Sequence, residues 1–197
     1  MGQPRNVVTS LRERRGGRVA VELDGVPWRT LPADTIARAG LAVGRVLDRE
    51  TARTLARELR RARALGDALQ ALRHGDLSRR RLDERLERRG IRADARAEAL
   101  ETLERAGFVD DRRIAGLRAA TLADRGYGDA AIRVALERAG LAGELVFEAL
   151  AGLEPEADRA RRVLDRRGAG TRTLRWLAAR GFEPGTLEDV SGFAGER

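Results

Sequence analysis

The N-terminal part of the chain has the period-two alternation that is typical of half-buried strands. Val7–Arg12 is a short β-prone run, apolar and polar residues alternate through Arg18–Leu23, and a third β-prone run covers Val26–Leu31. Asp24-Gly25 separates the last two runs and predicts a two-residue hairpin turn, because both turn positions need positive φ. Pro27 has no N–H to donate, so we expect its strand at a sheet edge.

From Asp48 onward the apolar residues recur with a helical period. A short helix over roughly Thr35–Ala39 completes an N-terminal β-hairpin/short-helix module of residues 1–47. Asp48 is predicted as the N-cap, and apolar residues then recur at three- and four-residue steps. The opposite face carries Arg53, Arg57, Arg60, Arg61 and Arg63. We predict a basic linking helix over residues 48–64.

The rest of the chain contains a segment that recurs three times. Its copies end in Gly90-Ile91, Gly140-Leu141 and Gly181-Phe182, the first two of which are 50 residues apart. Gly90, Gly140 and Gly181 each follow a helical pattern, where a left-handed residue after the last turn is expected to be glycine. With a helix on either side of each copy, the pattern predicts a mainly α fold of three tandem three-helix repeats, over residues 65–109, 110–154 and 155–197.

Composition restricts the chemistry of the chain. It has no cysteine and a single histidine, His74, so a thiolate metal site, a cysteine nucleophile and a metal cluster of several histidines are excluded. We expect no cofactor and no metal. No apolar run approaches the roughly 20 residues that span a bilayer, and the first residues lack the apolar core of a secretory signal. The expectation is a cytoplasmic protein with no membrane contact.

The charge of the chain favours a polyanionic partner. The net charge is +8 and the pI is about 11.3. All 39 basic residues are arginine, which a GC-rich genome also produces through its codon usage, so the charge alone leaves both explanations open.

Arginines concentrate in three stretches that we take as candidate filament- or polyanion-binding clusters. In the repeat array they lie at corresponding positions, where they can line one edge; the alternative is a solvated face with ion pairs between residues four apart. The first choice is the cluster in residues 159–180, and the second is formed by residues near 60 and 80. The candidates are Arg161, Arg162, Arg166, Arg167, Arg172 and Arg175, followed by Arg60, Arg61, Arg79, Arg80 and Arg81.

Other motifs indicate structure rather than chemistry. Asp110-Asp111 precedes a helical pattern, and adjacent residues at a helix start point in different directions, so a cap and a first-turn acid are preferred to a shared catalytic or metal site. His74 has no companion ligand. The glycine pairs Gly126-Tyr127-Gly128 and Gly168-Ala169-Gly170 lack the lysine of a phosphate-binding loop and indicate turns. We predict no catalytic residues.

Three stretches together resemble a known family. Gly107–Ala115, Arg125–Gly128 and Arg175–Phe182, with the glycine-ended copies between them, are similar in order and spacing to the RecX family of regulators of the RecA recombinase. The resemblance covers roughly Leu65 to the end of the chain. One departure is Gly116-Leu117, where relatives usually carry aromatic residues.

The resemblance implies an elongated, curved array of the three repeats that acts through contacts, as a monomer. It implies binding to RecA and to its filament on single-stranded DNA, inhibition of recombinase activity in DNA repair and the SOS response, and weak direct DNA binding. The alternative is a standalone basic nucleic-acid-binding helical protein. An unrecognised enzyme is the third hypothesis, and no convergent set of titratable residues supports it.

Overall fold

The computed structural model describes residues 6–194, and this part of the chain is mainly helical with one three-stranded antiparallel sheet. The described residues form two compact units. One extends to Arg73 and includes Arg85–Thr102, and the other comprises His74–Glu84 and the residues from Leu103 onward.

The sheet consists of β1 (Val8–Arg14), β2 (Arg18–Leu23) and β3 (Val26–Pro32), in that order. The predicted hairpin is confirmed, because Asp24 and Gly25 connect β2 to β3 with φ of 48° and 81°. Pro27 lies on β3, an edge strand, as its missing N–H requires. The first β-prone run, Val7–Arg12, largely forms β1 and pairs with β2, so the module is a three-stranded meander and not an isolated hairpin.

The buried face of the sheet packs on two helices, α1 (Ala33–Arg38) and α2 (Arg49–Leu72). Asp48 caps α2, since its carboxylate accepts a hydrogen bond from the Thr51 N–H at 2.7 Å. The predicted break after residue 64 is absent: α2 continues through Gly66. The expected boundary between the linking helix and the first repeat therefore falls inside one continuous helix.

Eight further helices follow, and the second and third predicted repeats each contain three of them. They are α3 (Arg79–Arg88), α4 (Ala93–Arg105), α5 (Asp111–Asp124), α6 (Asp129–Arg138), α7 (Gly143–Ala151), α8 (Glu156–Arg167), α9 (Thr171–Ala179) and α10 (Pro184–Ala194).

The glycine-ended copies adopt the same local structure at the ends of α3, α6 and α9. Gly90, Gly140 and Gly181 have φ of 73°, 79° and 78°. In each copy the next residue donates its N–H to the carbonyl five residues back, as in a Schellman motif, at 3.2–3.3 Å. That residue is Ile91, Leu141 or Phe182, and all three are buried.

A junction between successive repeats also recurs. Ser78, which precedes α3, donates its hydroxyl to the carbonyl of Ala139 at 2.6 Å. Gly128, 50 residues later, donates its N–H to the carbonyl of Arg180 at 2.9 Å. In both cases the residue before a middle helix binds the C-terminal end of the next repeat's middle helix, so the repeats stack through equivalent contacts.

A buried polar network supports the second of these junctions. The Glu156 carboxylate accepts hydrogen bonds from the N–H groups of Asp129 and Glu183 and from the Thr186 hydroxyl, at 2.6–3.1 Å. Arg159 is 5% exposed and binds the Asp129 carboxylate and the carbonyls of Glu154 and Tyr127. Each charged group therefore has partners that offset the cost of its burial.

Candidate polyanion-binding cleft

The paired aspartates at the start of α5 have separate structural roles. Asp110 accepts a hydrogen bond from the Arg113 N–H at 2.9 Å and caps α5. Asp111 accepts one from the Arg79 N–H at 2.8 Å, at the first residue of α3. One helix start thus caps another that lies 32 residues earlier, a contact that spacing along the sequence cannot reveal.

Four of the five candidate arginines near residues 60 and 80 lie close to carboxylates of the protein. Arg61 lies 3.9 Å from the Glu98 carboxylate. Arg79 pairs with Glu104 at 2.7 Å, and Arg80 and Arg81 both pair with Glu84. Hydrogen bonds from these two guanidinium groups hold the pKa of Glu84 below its usual range. Arg60 is exposed. The pKa of Asp94 lies below its usual range chiefly because the carboxylate accepts a hydrogen bond from the Ala95 N–H, and the charge of Arg60 adds a small effect in the same direction.

The third cluster divides into three groups. Arg161 pairs with Asp158 and Arg162 with Glu154, and all four side chains are about half exposed. Arg159 is buried in the network described above, so it offers no binding surface. No ion pair to Arg166, Arg172 or Arg175 is found among residues 6–194, and all three are exposed.

A cleft of about 430 Å³ opens between the C-terminal end of α5, α8 and α9. Arg162, Arg166 and Arg167 line it, which brings three of the predicted residues together. Arg125 joins them from the end of α5, and Asp124 is the one acidic residue of the lining. Arg172 and Arg175 lie on α9 outside the cleft.

Aromatic stacking orients part of this cleft. The Arg167 guanidinium lies 4.4 Å from the centre of the Trp176 ring, and the Arg180 guanidinium lies 4.6 Å from it. Arg180 also lies 4.8 Å from the Tyr127 ring. Cation–π contacts of this kind hold a guanidinium in place without neutralising its charge. Arg167 is therefore presented to the cleft in a preorganised position.

The lining of the cleft suits an anion with several oxygen atoms. Guanidinium groups bind phosphate and carboxylate through two parallel hydrogen bonds, and four arginines besides the buried Arg159 surround the space. Sequence reasoning missed Arg125, because it stands alone at a helix end and no charge cluster marks it. Its only signal is its place directly before Gly126-Tyr127-Gly128.

Other candidate chemistry receives no support from the geometry. His74 is exposed after the end of α2. Within the described residues, no three metal-ligating side chains come together. None of the helices in that part of the chain is both long and apolar enough to cross a membrane.

Comparison with known proteins gives sequence relatives that share one description. The chain is 33% identical over 142 residues to the regulatory protein RecX of Acidithiobacillus ferrooxidans, a match that covers 66% of this chain and 89% of the relative. It is 33% identical over 136 residues to the RecX of Xanthomonas axonopodis pv. citri, covering 64% and 84%. A match to the RecX of Leuconostoc citreum, at 29% identity, spans 71% of this chain but about half (53%) of that longer relative. No protein-family model matches the chain.

Solved structures show the same fold. A crystal structure of regulatory protein RecX superposes with a TM-score of 0.79 at 19% identity, and the match covers 94% of this chain and 98% of the other. The crystal structure of RecX from Lactobacillus salivarius superposes with a TM-score of 0.60 at 15% identity, over 70% of this chain and 98% of the other.

Proposed function

Because the chain belongs to the RecX family of regulatory proteins, we propose that it binds the RecA recombinase and the filament that RecA forms on single-stranded DNA. In this proposal it inhibits recombinase activity and so acts in DNA repair and the SOS response. It acts as a monomer and in the bacterial cytoplasm, where such filaments form.

The observation that carries this proposal beyond the family name is the arginine-lined cleft. A nucleoprotein filament presents phosphates along its DNA and carboxylates on its protein, and the guanidinium groups of Arg162, Arg166 and Arg167 bind both kinds of group. The positions of these side chains are set by α8 and by the stacking of Arg167 on the Trp176 ring. The cleft therefore favours anionic groups in an ordered row over anionic groups without a fixed arrangement.

The proposed mechanism consists of binding, without a chemical step. A regulator that holds anionic groups of the filament blocks the addition of further protomers or favours their release, and ATP hydrolysis falls because fewer protomers are assembled on DNA. The chain's own residues contribute charge, shape and position only.

The test is RecA-dependent ATP hydrolysis on single-stranded DNA, with and without this protein. We expect the native chain to lower the rate and the R162E/R166E variant to lower it much less. A matched control is R172E/R175E, which makes the same change of charge on exposed arginines outside the cleft and should retain most of the inhibition. Circular dichroism should give equal helicity for all three.

The possible results separate the hypotheses. Equal loss of inhibition in both variants would mean that net charge matters and the cleft does not. Binding to bare DNA with no effect on RecA would favour a standalone nucleic-acid-binding protein. Full inhibition by both variants would show that the four substituted arginines play no part in the mechanism.

A further inference from the structure

Helix α5 carries a large apolar side chain that its neighbours in the protein leave uncovered. Ile114 and Ala119 are buried against α6 and α7, as the core of the second repeat requires. Leu117 is nevertheless 56% exposed. The exposed side of α5 therefore presents a large apolar side chain to solvent among its charged and polar residues.

This exposed side forms one wall of a groove of about 360 Å³ between α5 and α6. Leu117, Leu122, Ala135 and Leu136 supply its apolar lining. The hydroxyl of Thr121, which also lines the groove, donates to the Leu117 carbonyl at 2.8 Å and is therefore already satisfied. The groove suits an apolar side chain and offers little to a base or a sugar.

Two arginines give the groove a charge. Arg118 and Arg125 are the ionisable residues of its lining, and both are exposed. Arg118 donates to the carbonyl of Asp76 at 3.1 Å, a neutral group that leaves its charge uncompensated. The complementary occupant has an apolar anchor with carboxylates beside it, which is the pattern of an acidic amphipathic segment of a protein.

Arg125 also lines the arginine cleft, so groove and cleft are neighbours that share one side chain. The cleft is polar and positive, whereas the groove is apolar with positive ends. A surface with these two parts side by side matches a partner that presents anions and an apolar protein side chain close together. Naked DNA provides only the first.

We propose that the α5–α6 groove is a protein-docking surface that receives an apolar side chain from an acidic amphipathic segment of the partner, while the adjacent cleft holds anionic groups. The inference rests on the proposed function in one respect, since it takes a RecA protomer of the filament as the protein that supplies this segment. It also assigns the two surfaces different ligands: the groove contacts protein, and the cleft contacts anions.

The first test compares L117E with F147E. Leu117 lies in the groove, whereas Phe147, on α7, is 74% exposed and lines none of the cleft or groove, so F147E is a matched apolar-to-acidic control. The probes are RecA filaments on oligo(dT) and oligo(dT) alone. We expect L117E to weaken filament binding by roughly tenfold or more, as burial of an uncompensated charge at an interface does. F147E should leave it within about twofold. Neither variant should lose affinity for oligo(dT) alone by more than about twofold.

A second test does not depend on how well L117E folds. The chain has no cysteine, so L117C and F147C each carry one thiol that can be coupled to a photoactivated crosslinker. With RecA filaments, crosslinks to RecA from position 117 and few from position 147 would support the proposal.

The outcomes are distinguishable. If the native chain does not bind filaments, the proposed function fails and the groove assignment fails with it. If the native chain binds, but L117E binds equally well or position 117 gives no crosslink to RecA, only the groove assignment is overturned. A loss of oligo(dT) binding in L117E would show that the groove contacts nucleic acid and would also overturn it.

Discussion

At the residue scale, Gly128 makes a close backbone contact between the second and third repeats. This residue precedes α6 with φ of −82°, a conformation open to any amino acid, and its backbone donates to the Arg180 carbonyl at 2.9 Å. A Cβ built on Gly128 would collide with the backbone of Gly181 and Phe182. Glycine is required here by space and not by φ.

We therefore expect G128A to destabilise the protein by about 2–3 kcal/mol, because the added methyl group meets backbone that has no alternative position. G170A is the control. Gly170 is the residue before α9, with an extended backbone, and nothing lies within 4 Å of its Cβ position. G170A should change the free energy of unfolding by no more than about 0.5 kcal/mol. Urea denaturation measures both, and equal effects would mean that the junction yields to the added methyl.

The sequence shows the glycines that end the three copies but not the contacts between distant residues. Gly90, Gly140 and Gly181 were predicted as left-handed helix ends from local pattern alone, because a Schellman end depends on residues within one turn. The burial of Arg159 was not predictable in the same way. It stands beside Arg161 and Arg162 in a basic run, and its partners Tyr127 and Asp129 lie about 30 residues away.

At the scale of single elements, α2 shows how a local signal is overridden. Gly66 weakens the helix locally, since glycine in a helix interior costs about 1 kcal/mol relative to alanine. The helix continues because Ala64, Ala68 and Ala71 are fully buried along one face, and this burial outweighs the local preference of one residue.

Gly66 is consequently a site where stability can be increased. It is exposed in the interior of α2, and no atom lies within 4 Å of its Cβ position. G66A should raise the free energy of unfolding by about 0.5–1 kcal/mol, through helix propensity and the reduced entropy of the unfolded chain. Thermal denaturation followed by circular dichroism checks this. A lower melting temperature would contradict the assignment of a regular helix at this point.

Glu156 determines how α8 is joined to α6 and α10. Its Oε1 accepts from the Asp129 N–H, and its Oε2 accepts from the Glu183 N–H and the Thr186 hydroxyl. Both oxygens therefore face N–H donors. A glutamine at this position has one oxygen and must turn its NH₂ toward one of these donors.

We expect E156Q to lose about 2–3 kcal/mol of stability and E156A a similar amount, because each leaves a buried donor unsatisfied. E154A is the control: the Glu154 side chain pairs with Arg162 at the surface, and its loss should cost less than about 1 kcal/mol. Denaturant unfolding gives the three values. Full stability in E156Q would show that water or a rearrangement satisfies the second donor.

At the scale of the whole chain, the sequence predicted the helical class, the N-terminal strands and the three glycine-ended copies, because all of these rest on local periodicity. Local periodicity was not enough for the predicted arginine sites. The Arg80–Glu84 and Arg81–Glu84 pairs lie within one helix and match the alternative of ion pairs along a solvated face, whereas the partner of Arg79, Glu104, lies on another helix and is visible only after folding. A free arginine and a paired one look the same in a sequence, so binding surfaces depend on tertiary structure.

The assignment of anions to the cleft and of protein to the groove predicts how filament binding depends on salt. Each phosphate contact on single-stranded DNA contributes about −0.7 to the slope of log K against log salt, whereas burial of an apolar side chain contributes almost nothing to it. If Arg162 and Arg166 each contact one phosphate, R162E/R166E should make the slope shallower by about 1.4. L117A removes apolar contact without adding a charge, so it should lower log K by a constant amount at every salt concentration. Because they change different terms, the two effects should add in the combined variant to within about 0.5 kcal/mol. A steep change of slope in L117A, or an unchanged slope in R162E/R166E, would mean that the cleft and the groove do not bind different parts of the partner in this way.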